Sequence, residues 1–192
     1  MKKLNTFFIV LTLIFVSISN AQTQPDKKTT LNYINNIFFD TKDYEEKMND
    51  GAVFKVGGGE ICGWKDMRFD YYLRYCRIST SDSWCSYCTE YRNISWEKML
   101  LIEDYDSGLL PDSPVKYLKI IFVPNSILFE GYTKPSSCGD QNYSYCGKEK
   151  STSWIYFPYR NEEGVRERLV KALNHLSKLE KEEQTKNDPF GN

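Results

Sequence analysis

The chain has 192 residues, with 25 Lys plus Arg against 26 Asp plus Glu and a net charge of −1, which becomes −3 if Lys2 and Lys3 leave with the leader described next. That balance gives no global attraction for nucleic acid or anionic lipid, which argues against a general polyanion binder. The length suits one domain with its own hydrophobic core, since domains of about 100–150 residues are the commonest size.

Met1-Lys2-Lys3, an apolar run from Phe7 to Ile18 and the small residues Ser19-Asn20-Ala21 read as a cleavable signal peptide over residues 1–21, cut before Gln22. The run is shorter than the roughly 20 apolar residues of a spanning helix, and residues 117–129, the best later candidate, are broken by Lys119 and Pro124. The expectation is therefore an exported protein, periplasmic or secreted, with no integral membrane segment after cleavage. Residues 22–28 are a polar lead-in, 29–180 a single globular domain, and 181–192 a polar, disordered tail.

Thr30 is placed to cap a short helix whose apolar face is Leu31, Ile34, Ile37 and Phe38. From residue 52 to 159 the pattern changes to short runs of Tyr, Phe, Ile, Val and Trp between turn residues, as an antiparallel sheet is written. Gly57-Gly58-Gly59 is a reversal, and residues 67–78 read as one strand with Phe69, Tyr71, Leu73 and Tyr75 on its apolar face. Strands follow at 89–96 and 98–105. Residues 116–123 and 127–131 read as a hairpin around Pro124-Asn125-Ser126, and 154–159 as the last strand. Asn161 is placed to cap a long closing helix with a stripe of Val165, Leu169, Ala172, Leu173, Leu176 and Leu179. The expected class is α+β: an antiparallel, strongly bent sheet or partial barrel closed by this helix, with a short helix in front.

That order of elements resembles the pleckstrin-homology-like fold, which implies a binding or scaffolding module. The stretches Ile94-Ser95-Trp96-Glu97-Lys98-Met99 and Arg168-Leu169-Val170-Lys171-Ala172-Leu173-Asn174-His175-Leu176 are similar to exported proteins of Bacteroidota-type bacteria that carry no assigned activity.

Six cysteines, Cys62, Cys76, Cys85, Cys88, Cys138 and Cys146, fall in the strand-rich region. In an exported chain they read first as structural disulfides, with too many connectivities for the sequence to choose among them. Cys138 with Cys146, and Cys85 or Cys88 tied to another strand, are the local candidates. The sharper alternative makes Cys85-Ser86-Tyr87-Cys88 a zinc knuckle or redox dithiol. No helix start lies there to lower a thiol pKa, and the Cys138/Cys146 spacing is too wide for a typical knuckle.

His175 is the single histidine, which removes multi-histidine metal sites, and no phosphate loop, dinucleotide fingerprint or nucleophile elbow is present. No cofactor, metal site or catalytic residue is expected. Glu103, Asp104 and Asp106 are the nearest thing to a hydrolase's acid pair, but neighbours on a strand point to opposite faces. With 14 Tyr and 4 Trp, the chain is rich in residues that stack on sugars or anchor protein partners. Tyr72, Trp84, Tyr87 and Tyr145 are the surface candidates. The resulting expectation is an exported, non-enzymatic, disulfide-stabilised binding domain for a protein or carbohydrate partner. Its alternatives are an extracellular hydrolase with a carboxylate pair and a zinc or redox protein built on Cys85 and Cys88.

Overall fold

Asp26 opens the first helix: in the computed structural model its side chain accepts from the Thr29 N–H at 2.7 Å, and α1 runs over Lys27–Phe39. The structure describes residues 24–57, 67–80, 86–105, 108–134 and 150–187, with backbone only for 86–88 and 129–134. A carboxylate at the cap position satisfies an amide that the helix leaves unpaired, so the helix starts ahead of the expected Thr30. Its inward face is Ile34 and Phe38, with Leu31 and Ile37 alongside.

Among the described residues ten strands follow: β1 (Glu45–Lys47), β2 (Val53–Gly57), β3 (Arg68–Phe69), β4 (Leu73–Ser79), β5 (Ser86–Arg92), β6 (Met99–Tyr105), β7 (Val115–Phe122), β8 (Ile127–Lys134), β9 (Lys150–Thr152) and β10 (Trp154–Arg160). A 3-10 turn, Trp96–Lys98, leads into β6, and α2 (Val165–Asn187) ends the order. The class is α+β with antiparallel sheets, but the strands divide between two sheets and neither closes. The larger runs β1-β2-β4-β5-β8-β9 with β3 beside β4, and the smaller runs β10-β7-β6.

The expected strand over residues 67–78 is a tight hairpin instead. Phe69 pairs with Leu73, and the Asp70 carboxylate accepts from the Tyr72 N–H, so Tyr71 sits at the reversal and is exposed while Phe69, Leu73 and Tyr75 are buried. The Pro124-Asn125-Ser126 turn also forms, with Asn125 at φ 55, but it hands the chain from one sheet to the other: β7 pairs with β6 and β10, β8 with β5 and β9. Asn161 is not a cap. Its amide donates to the Pro111 and Ser113 carbonyls, and α2 begins four residues later, past Gly164 at φ 70.

α2 buries Val165, Leu169, Leu173 and Leu176 as the stripe requires, and it continues to Asn187, so residues 181–187 of the expected tail are helical. The core joins every layer. The Phe38 ring lies 5.4 Å from Phe157 and 6.1 Å from Phe69, and Trp96 lies 5.5 Å from Phe69 and 5.7 Å from Phe122. Each such side chain contributes roughly 1.5–3 kcal/mol by leaving water.

Two polar joints lock the sheets together. Among the described residues no strand pairs with β10 on the side away from β7. There the Tyr75 hydroxyl donates to the Tyr156 carbonyl at 3.0 Å, and the Tyr156 N–H donates to the Tyr91 hydroxyl at 3.4 Å. Two side chains of the larger sheet thus satisfy a residue whose backbone groups would otherwise face an open edge. The second joint is Glu46, fully buried on β1, which accepts from Arg77 Nε at 2.6 Å and Nη2 at 2.5 Å and from the Tyr117 hydroxyl at 3.0 Å. Burial pushes the Tyr75 and Tyr117 phenols well above their ordinary range, so both stay protonated and able to donate.

Candidate functional site

One face of the small sheet turns Leu118, Ile120, Ile155 and Phe157 into the core, which leaves Leu101, Glu103, Tyr105, Tyr117, Lys119, Ile121, Trp154 and Tyr156 on the other. The register sets these across the strands: Leu101 opposite Ile121 opposite Trp154, then Glu103 opposite Lys119 opposite Tyr156. The two ends of this face differ. Tyr117 is covered, its ring 6.2 Å from Tyr75 and its hydroxyl on Glu46, and Tyr105 stacks on Tyr156 at 4.1 Å. The Leu101 end is open: Leu100 is 64% exposed, Leu101 50%, Trp154 43% and Val123 41%.

Two consecutive exposed leucines break the alternation of a regular strand, and the cause is local. The pairing shifts between Met99 and Leu101, so Leu100 is an extra residue and Met99 alone turns inward. Leu100, Leu101, Ile121, Val123 and Trp154 form one apolar area at the end of the sheet. Lys119 borders it, its ammonium 5.6 Å from the Trp154 ring and 3.8 Å from Glu103. Contiguous exposed apolar area with a charged border marks interaction surfaces on soluble proteins.

A second constellation joins α1, α2 and the 3-10 turn. Glu180 is buried on α2. Its Oε2 accepts from the Trp96 N–H at 3.2 Å, and its Oε1 lies 3.1 Å from Lys27 Nζ, which also pairs with Glu183 at 2.6 Å. Burial raises the Glu180 carboxyl, and a hydrogen bond with Glu97 adds to the rise while Lys27 opposes it. Burial works in the same direction on Glu97, but hydrogen bonds from Ser95, its own N–H, Glu180 and Gln184 outweigh it and hold Glu97 below the usual range. Of the two, Glu180 is therefore the more readily protonated. This pair is in direct hydrogen bond, whereas a glycoside hydrolase needs its carboxyls about 5–9.5 Å apart with a sugar between them. The neighbouring hollow of about 350 Å³ is lined by Asp26, Lys27, Lys28, Leu179, Glu182, Glu183 and Lys186, whose charges cancel. The arrangement clamps helices and offers no acid facing a substrate.

The other expected residues fall as follows. Tyr72 is half-buried with the Arg68 guanidinium 4.9 Å over its ring. Trp84, Tyr145, Cys62, Cys85, Cys138, Cys146 and Asp106 lie outside the described residues, as do the side chains of Tyr87 and Cys88. Glu103 faces Lys119, and Asp104 forms a two-pronged pair with Arg166 at 2.6 and 2.9 Å, so the acids of β6 are surface ion pairs on opposite faces. His175 Nε2 lies 2.7 Å from the Pro25 carbonyl and ties the lead-in to α2. Cys76 is fully buried on β4, and the register sets Cys88 of β5 directly opposite it. Among the described residues no group of three or more His, Cys, Asp or Glu is arranged to hold a metal ion, and no helix is long and apolar enough to cross a membrane.

The sequence reading missed the Leu100–Trp154 area by looking for aromatic loops. The signal was Leu100-Leu101, a pair that a half-buried strand has no reason to carry. The chain matches no family model, no curated protein and no solved structure.

Proposed function

We propose that this chain is an exported, non-enzymatic interaction domain that binds a protein partner through the open end of the small sheet. The observation that carries this reading is the apolar row Leu101–Ile121–Trp154, extended by Leu100 and Val123. Four of the five residues are aliphatic, which favours a protein surface over a sugar, since sugar stacking needs several flat rings. Crosslinking in the exporting host, with the mature chain beginning at Gln22, tests it. The wild type should capture a defined partner that Leu101→Asp loses and that Tyr33→Ser, on an exposed aromatic of α1, retains. Equal capture by both variants would overturn the reading.

Disulfide stapling belongs to the same proposal. The Thr80 N–H donates to the Val53 carbonyl, which fixes the phase of β4: residues 80, 78 and 76 turn their backbone groups toward β2. Cys76 and Cys88 are therefore a non-hydrogen-bonded pair, where facing Cα atoms come within about 4.5 Å, inside the span that a disulfide bridges. We infer a Cys76–Cys88 bridge across β4 and β5. A peptide map without reduction should join the fragments bearing these two residues, and reduction should cost about 2–4 kcal/mol of stability. Free alkylation of both thiols in the native exported protein would rule the bridge out.

A further inference from the structure

Among the described residues the small sheet ends on a strand, β6, that pairs on one side only. The order is β10-β7-β6, and the backbone phase of β6 follows from one bond. The Phe122 N–H donates to the Ser153 carbonyl, so Phe122, Ile120 and Leu118 turn their backbone groups toward β10, and Ile121, Lys119 and Tyr117 turn theirs toward β6. Their partners Leu101, Glu103 and Tyr105 turn back toward β7, which leaves the N–H and C=O groups of Ile102 and Asp104 pointing to the outer edge. Among the described residues no hydrogen bond meets those four groups. The outward side chains flanking them are Leu101, half-exposed, and Glu103.

Resting on the interaction-domain reading, we propose that β6 is the docking strand: it takes an extended segment of a partner protein that adds antiparallel to the sheet and carries a basic residue two positions before an apolar one. Antiparallel addition continues the pattern of every pair in both sheets. Side chains on one face of an added strand recur every second residue, so those falling opposite Glu103 and Leu101 are two apart, the first matched by a cation and the second by an apolar group. The apolar residue extends the row Leu101–Ile121–Trp154 by one strand. A second copy of this chain fits worse. A two-fold pairing centred on Ile102 sets Leu101 against Glu103 twice, one centred on Glu103 opposes two carboxylates, and one centred on Leu101 runs into the 3-10 turn at Trp96–Lys98.

The probe is a short, acetylated and amidated threonine-rich peptide with lysine two positions before valine, alongside its twin with glutamate in place of the lysine. Amide hydrogen exchange of the isotope-labelled mature chain should slow at Ile102 and Asp104 when the lysine peptide is added at millimolar concentration, and stay unchanged at Leu101 and Glu103, already bonded to β7. The lysine peptide should bind about fivefold more tightly than its twin, and Glu103→Lys should reverse that preference by about the same factor. Unchanged exchange at Ile102 and Asp104, or a preference that Glu103→Lys leaves in place, overturns the proposal. Protection that grows with protein concentration and no peptide also overturns it, by giving the edge to a second copy. These readouts fail separately from crosslinking: Leu101→Asp can abolish partner capture while the β6 amides ignore every peptide.

Discussion

The outer face of the small sheet is finished at one end and left open at the other, although the same three strands build both. At the Tyr117 end the larger sheet supplies partners: Tyr117 reaches Glu46, and Tyr75 and Tyr91 meet the Tyr156 backbone. At the Leu101 end the side chains are mostly aliphatic and exposed, and among the described residues no strand pairs with the outer edge of the β6 backbone beside them. The first end is stabilised by satisfied buried polar groups, which are costly to disturb. The second contributes little to folding, and that is what leaves it available for binding.

The largest way to break this contrast is at Glu46. Its carboxylate pairs with half-buried Arg77 and holds the Tyr117 hydroxyl, so Glu46→Ala should cost about 3 kcal/mol in urea unfolding by removing the counter-charge of the guanidinium and the acceptor of a buried hydroxyl. Tyr117→Phe removes only one hydrogen bond of the same group and should cost about 1 kcal/mol. Equal losses for the two would mean that the guanidinium finds water once Glu46 is gone. At the β10 edge, Tyr75→Phe should cost about 1 kcal/mol and speed exchange of amides along β10, because the Tyr156 carbonyl loses its donor.

Buried Glu180 and half-buried Glu97 sharpen the comparison through pH. Glu180 has its carboxyl raised by burial, with Lys27 opposing the rise and Glu97 adding to it. A raised carboxyl stabilises the fold in its protonated form. That contribution is complete below the ordinary value of 4.5 and is lost as pH climbs through the folded value. Glu97, lowered by its hydrogen bonds, has the opposite sign: its contribution is present above 4.5 and disappears as pH falls through its folded value. Glu180→Gln keeps the neutral form at all pH, so its Tm relative to wild type should rise as pH increases from about 4.5 toward neutrality. A difference that stays flat across that range would show that Lys27 keeps Glu180 ionised.

What the sequence made legible were the features that depend on near neighbours. The α2 stripe, the α1 face and the turn at Pro124-Asn125-Ser126 are written in local spacing and were read correctly. The errors arose where a distant partner decides. Alternation in Phe69, Tyr71, Leu73 and Tyr75 is the same for a straight strand and for a two-stranded hairpin, and only the Asp70 carboxylate on the Tyr72 N–H selects the hairpin. The Pro124 turn looks identical whether its strands pair or part company. Glu46 sits between Glu45 and Lys47 like any surface residue, and its burial is set by Arg77 and Tyr117, 31 and 71 positions away. Asn161 has the chemistry of a cap, but the Pro111 and Ser113 carbonyls claim its amide first.

The smallest expected effect on stability is at the open end, and there a null result in folding is the informative one. Leu100→Ser and Leu101→Ser remove side chains that are already half or more in water, so each should change unfolding free energy by no more than about 0.5 kcal/mol. If both variants fold with wild-type Tm and lose partner crosslinking, the exposed leucines serve recognition. A loss several times larger would mean that they stabilise the domain itself, through contacts with some other part of the chain. The double variant carries the same logic further. Leu100 and Leu101 are neighbours at one bulge, and if neither packs against anything in the free protein their small effects should simply add.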